Sequence, residues 1–184
     1  MKLKINKTQI SGLLIIKPQK ISDKRGFFSE TYNKKIFYKQ KIKIDFVQDN
    51  YSYSKYKYTL RGLHFQSPPY AQDKLVRVLS GSIIDVAVDL RKKSKTYKKH
   101  FKIILSKQNQ KQLLIPKGFA HGFLTLEKNT EVMYKTSNYY SKKHDKGIFW
   151  SDKNLNIKWK KKIKPILSNK DLNNPSLDDL DSLF

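Results

Sequence analysis

The chain has no cysteine in its 184 residues. That excludes a disulfide scaffold, a thiol nucleophile and any zinc–thiolate site. No apolar run approaches the roughly 18 residues of a membrane helix. The longest near the start, Leu13 to Ile16, is also too short for a signal-peptide core. A soluble cytoplasmic protein with no membrane partner is the expectation. Acidic residues are scarce too: 15 Asp and Glu face 39 Lys and Arg, a formal net charge of +24. Such a field attracts polyanions or phosphorylated small molecules. Arginine is rare among those cations, with only Arg25, Arg61, Arg77 and Arg91. A nucleic-acid surface is expected to use more arginine, whose planar fork grips phosphate. The lysines are scattered, as in a proteome with a lysine bias, so no nucleic-acid partner is expected. The few arginines mark places where geometry demands one.

What the chain does have is rings and short β-prone segments. Its 11 Tyr and 10 Phe can fill an interior. Leu13–Ile16, Phe27–Tyr32 and Phe46–Val47 are early strand candidates. Leu75–Leu79 stops at Ser80-Gly81-Ser82, and Ile83–Leu90 follows, with Ile84, Val86, Val88 and Leu90 alternating against Asp85, Ala87 and Asp89. That pair predicts a β-hairpin. Phe101–Leu105, Gln112–Ile115, Gly122–Leu126 and Glu131–Thr136 continue the series. The spacing predicts an all-β sandwich or jelly-roll barrel. Helices are few, at Asn33–Gln40 and near Trp159–Ile163. One domain spanning 1–184 is expected, with roughly 168–184 a wrapping tail whose composition turns acidic (Asp171, Asp178, Asp179, Asp181).

Two of the four histidines carry the chemical interest. His64 lies in Leu60-Arg61-Gly62-Leu63-His64-Phe65-Gln66, and His121 in Pro116-Lys117-Gly118-Phe119-Ala120-His121-Gly122. Glycine neighbours let other groups approach the backbone closely. His100 and His144 sit among lysines and are expected in solvent. Pro116-x-Gly118-x-x-His121 resembles the second motif of cupins, small jelly-roll barrels. The first motif lacks the second His and the Glu that a metal-binding cupin needs, so two imidazoles remain and no metal is expected. An iron-dependent oxygenase on the same scaffold is the reading this disfavours. Without a metal, a buried imidazole can serve as general base. It then needs a carboxylate behind it, Asp85 or Asp171, and a cation for charge formed on the substrate, Lys74 or Arg61. Asp85 could instead pair with Arg77 across the hairpin. A phenol such as Tyr134 could return a proton from the other side. The Tyr51–Tyr58 stretch alternates rings with Ser and Lys; it fits a strand, and could otherwise stack single-stranded bases.

Taken in order, the motifs resemble one family, the dTDP-4-dehydrorhamnose 3,5-epimerases, which are cofactor-free cupins. The pieces are Asp23-x-Arg25-Gly26-Phe27-Phe28-x-Glu30, Phe46-Val47-Gln48-Asp49-Asn50, Leu60–Gln66, Ala71-Gln72-x-Lys74-Leu75-Val76-Arg77 and Gly81–Asp89. Ile115–Phe123, Tyr134 with Asn138-Tyr139-Tyr140-Ser141, and Leu167-Ser168-x-Lys170-Asp171 complete them. The resemblance implies a cupin-type double-stranded β-helix with no cofactor. It implies inversion of C3 and C5 of a dTDP-linked 4-keto sugar, converting dTDP-4-dehydro-6-deoxy-D-glucose to dTDP-4-dehydro-L-rhamnose through an enolate. Inversion at one centre only, or ketoisomerisation, is the sibling reading. In the family's terms His64 is the base, Asp171 its partner, Lys74 lies by the C4 oxygen and Tyr134 is the acid. Arg25, Glu30, Gln48, Asp49, Asn50, Arg61, His121 and Lys170 fall at substrate-binding positions, and Tyr140 where a ring stacks on the base. Asp145 stands in for a family Glu, and Lys117 is expected outside the pocket. Ser67-Pro68-Pro69-Tyr70 is expected to rim it. The family implies a homodimer with exchanged N-terminal strands. Strict alternation puts Arg61 and His64 on opposite faces of one strand. Either Gly62 makes a bulge, or Arg61 reaches the ligand from the rim or from a partner.

Overall fold

The computed structural model describes residues 2–180 and 184. In chain order it contains β1 (Leu3–Lys7), β2 (Leu14–Pro18), β3 (Ile21–Asp23), β4 (Gly26–Phe28), α1 (Lys34–Lys39), β5 (Gln48–Ser54), β6 (Leu60–Gln66) and β7 (Lys74–Ser80). Then follow β8 (Ser82–Asp89), β9 (His100–Ser106), β10 (Gln112–Ile115), β11 (Phe119–Thr125), β12 (Thr130–Thr136), β13 (Asp145–Gly147) and α2 (Asn169–Leu172). The strands form a six-stranded sheet, β1-β2-β10-β7-β12-β5, and a five-stranded sheet, β13-β6-β11-β8-β9. β3 and β4 make a separate hairpin. From β5 to β8, and again from β9 to β13, each strand leaves one sheet for the other. This alternation is how a jelly roll wraps two sheets round one interior, and the fold is the cupin-like one expected.

The expected hairpin of β7 and β8 does not form. β7 pairs with β10 and β12, and β8 with β11 and β9. Gly81 turns the corner between the sheets at φ +75°, and a Cβ there would lie 2.5 Å from Thr130 Oγ1. Both edges of β8 are taken by β11 and β9, and every residue of β8 is buried. Ile84, Val86 and Val88 pack with Leu60, Leu124 and Trp159, while Ile83 and Ala87 pack with Val76, Leu113 and Phe123 on the other side. The period-two pattern therefore separates two cores, not core from solvent. Asp85 consequently does not meet Arg77.

Helix α1 forms where predicted. Asn33 Oδ1 accepts the Ile36 N–H as its cap, and fully buried Phe37 anchors the helix on the outer face of the six-stranded sheet beside Leu75 and Leu114. No helix forms at Trp159–Ile163. That stretch is turn and irregular chain, held by the buried Trp159 ring, whose Nε1 donates to Trp150 O. Phe27–Tyr32 is strand only as far as Phe28. His100 and His144 are partly buried, and His144 lies against Tyr70 and bonds Ser141. After Ser168 the chain packs back on the five-stranded sheet: Leu177 enters the core and Phe184 meets Phe65 edge-on. Asp181 lies outside the described residues. Among the described residues no helix is long and apolar enough to cross a membrane.

Candidate active site

A cavity of about 330 Å³ opens between the two sheets. Strand β6 supplies one wall through an irregularity at Gly62. His64 is in register with His121, and Arg61 with Phe123. Two residues on β6 thus oppose one on β11, which is a β-bulge. The extra residue brings Arg61 and His64, three apart, onto the same cavity. The backbones almost touch at this point: a Cβ on Gly62 would sit 2.6 Å from Gly122 Cα. Arg61 is further fixed by Nε donating to Ser54 Oγ and Nη2 to Tyr53 O.

His64 Nε2 lies 2.6 Å from Asp171 Oδ1. Asp171 comes from α2, capped by Ser168, whose hydroxyl donates to Asp171 Oδ2 and accepts the Asp171 N–H. Burial acts to raise the Asp171 carboxyl, but hydrogen bonds from His64, Ser168 and the Gly62 backbone outweigh it and hold the group below its ordinary value. A carboxylate there fixes the proton on Nε2 and leaves Nδ1 as the basic nitrogen. Lys74, on β7 of the facing sheet, is buried, and its Nζ is 3.4 Å from His64 O. Burial lowers its pKa to about 8, opposed by the charges of Asp145 and Asp85. Tyr134, on β12 of the same facing sheet, lines the cavity too. Burial pushes its phenol up, with Arg61 opposing and Asp145 adding to the rise, so it stays protonated at neutral pH.

The mouth is polar. Gln48 and Asn50 face inward from β5 and bond each other. Lys170 pairs with Asp145, which also accepts from the Tyr140 hydroxyl. His121 completes the β6–β11 wall, its Nε2 2.9 Å from Asp85 Oδ2. Three expected residues stay outside the cavity lining. Asp49 follows the strand alternation to the outer face, where it pairs with Lys135. Glu30 accepts from Asn33 beside α1. Arg25, its side chain 84% exposed, pairs with Asp23 on the β3–β4 hairpin. Lys117 lies away from the cavity, as expected. The lining also holds Ser52, Phe65, Gln66, Gln72, Phe123 and Ser168, to which the sequence assigned no role. Gln66 and Gln72 lie inside the motifs quoted for the resemblance, and that was the available signal. Their amides pin the rim: Gln66 bonds Tyr70 O, Tyr139 O and Ser141 N, and Gln72 bonds Asn138 O.

Among the described residues no group of three or more His, Asp or Glu is placed to hold a metal. The arrangement can remove a proton on one wall, stabilise an oxyanion with a buried ammonium, and deliver a proton from the opposite wall. Fold and site together define a cupin-type enzyme equipped for acid–base chemistry.

The comparisons narrow that class. The family model described as dTDP-4-dehydrorhamnose 3,5-epimerase matches residues 7–179. The enzyme of that name from Shigella flexneri is 49% identical over 97% of this chain and 98% of its own length. A Bacillus anthracis epimerase crystallised with TDP and PPi superposes with a TM-score of 0.93 at 50% identity, covering 96% of this chain and 100% of that one. A Legionella pneumophila enzyme in complex with dTDP-4-keto-L-rhamnose also gives 0.93, at 42% identity over 98% and 95%. The chain belongs to the dTDP-4-dehydrorhamnose 3,5-epimerase family.

Proposed function

We propose that the protein inverts C3 and C5 of dTDP-4-dehydro-6-deoxy-D-glucose, giving dTDP-4-dehydro-L-rhamnose. One observation carries the reading: an imidazole–carboxylate pair on one sheet and a protonated phenol on the other face a single cavity, with a buried lysine between the chemistry and the wall. The C4 ketone acidifies the hydrogens on both neighbouring carbons. His64 Nδ1 takes such a proton, and the electron pair moves onto the C4 oxygen as an enolate. The Lys74 ammonium stabilises that charge, strongly because the site is partly shielded from water. Tyr134 returns a proton from the opposite wall, so the centre inverts. The second carbon repeats the cycle after the sugar turns. Arg61 and Lys170 suit the diphosphate, and Tyr140 at the mouth suits the thymine ring. Incubation with the 4-keto substrate in heavy water, followed by NMR, tests this. Deuterium enters C3 and C5; His64→Asn stops both exchanges, and Tyr134→Phe exchanges without inverting the carbon it serves. A wild-type protein that leaves both positions unlabelled refutes the reading.

The working unit we infer is a homodimer that exchanges part of its N-terminal region. β1 pairs with β2, and β2 with the chain's own β10. The β3–β4 hairpin instead stands off with Ile21, Phe27 and Phe28 more than half exposed. Three apolar side chains on so small an element call for a cover. A second copy supplies it, and Arg25 then reaches the other copy's cavity.

A further inference from the structure

His64 is not the only imidazole in the cavity backed by an acid. His121, its cross-strand neighbour, has Nε2 2.9 Å from Oδ2 of Asp85 on β8. Asp85 is fully buried, and its other oxygen, Oδ1, has no hydrogen-bond partner among the described residues. It sits in Ser82-Ile83-Ile84-Asp85-Val86-Ala87-Val88, where an apolar residue would pack at less cost. Packing therefore gives no reason for a carboxylate at this position. One substrate-facing group does. A carboxylate there accepts from His121 Nε2, which leaves Nδ1 as the ring nitrogen available to a ligand in the cavity that His121 lines.

We propose that Asp85 is a positioning residue of this site: it locks His121 in the Nε2–H tautomer, so that Nδ1 accepts a hydrogen bond from a sugar hydroxyl. The proposal rests on the epimerase reading, which fixes what His121 meets. Asp85→Asn keeps the shape and removes the charge. Nitrogen-15 NMR of the imidazoles, with His121 assigned by loss of its signals in His121→Asn, reads the tautomer directly. Wild type shows Nε2–H at His121, and Asp85→Asn loses that single state. Kinetically, kcat falls by at least about tenfold, as expected when an imidazole loses the acid that sets its tautomer. A structural role would lower the melting temperature and leave the His121 tautomer and kcat in place. A wild-type spectrum with the proton on Nδ1 overturns the proposal, even if the variant does not fold. So does a folded variant with unchanged kcat. A wild type that exchanges no deuterium refutes the epimerase reading instead, while its His121 spectrum still tests the tautomer.

Discussion

Lys74 shows how a single residue trades stability for chemistry. Its ammonium is buried, and burial brings its pKa down from 10.5 to about 8. The unfolded chain therefore binds a proton that the folded one gives up between those two values. Stability linked to this group rises as pH climbs from about 8 towards 10.5, whereas activity that needs the ammonium falls over the same range. Lys74→Met removes the buried charge and keeps the volume. At pH 7 the variant melts higher than wild type by a few degrees and has no measurable turnover; by pH 10 the gap in melting temperature closes. Thermal melts at the two pH values decide it, and a Lys74→Met protein less stable than wild type at pH 7 contradicts the assignment.

The bulge on β6 does comparable work over a length of strand. Without its extra residue, Arg61 and His64 could not share a cavity. The bulge depends on two glycines meeting back to back. Gly62 has φ +114°, and a Cβ on it would also come within 2.7 Å of His121 O. Gly62→Ala therefore costs more than about 2 kcal/mol and disturbs both His64 and Arg61. A denaturant titration beside an activity assay measures this; a variant of wild-type stability and rate would show that the bulge tolerates a side chain. The bulge was one of the alternatives legible in the chain, since Gly62 beside two polar residues of opposed parity demanded some irregularity. Other elements were less legible. The β7–β8 hairpin was misjudged because Ser80-Gly81-Ser82 has the composition of a tight hairpin turn, whereas Gly81 carries the chain from one sheet to the other. Helix α2 escaped notice because four residues carry no period, although Ser168 and Asp171 stand at capping distance. Of the site residues that the motifs marked, the cavity gathers all but three: Asp49, which obeys parity and turns outward, Glu30, held by Asn33 beside α1, and Arg25, on the β3–β4 hairpin. Gln66 and Gln72 passed unassigned, because a rim pinned by amides becomes visible only once distant loops are brought together.

At the level of the whole molecule, Arg25 raises the question of which copy it serves. It lies on a hairpin that leaves its own sheets, and its own cavity is lined without it. If it serves a second copy, two inactive variants complement each other. His64→Asn has no base but donates Arg25, and Arg25→Ala accepts that arginine into a cavity with an intact base. Mixed and allowed to exchange subunits, they regain activity, with one complete site in each mixed dimer. A mixture no more active than its parts shows that Arg25 acts within its own chain. Sedimentation of the wild type reports the dimer itself.

Every strand of both sheets is complete by Gly147, whereas the acid that orients His64 arrives 107 positions after it, on α2. Architecture and reactivity are thus encoded in separate stretches of the polypeptide. A chain severed after Ser168 would retain all thirteen strands and the polar mouth apart from Lys170, with looser packing where Leu177 and Phe184 had been. It would be an inert receptor, holding a nucleotide sugar that it could no longer transform.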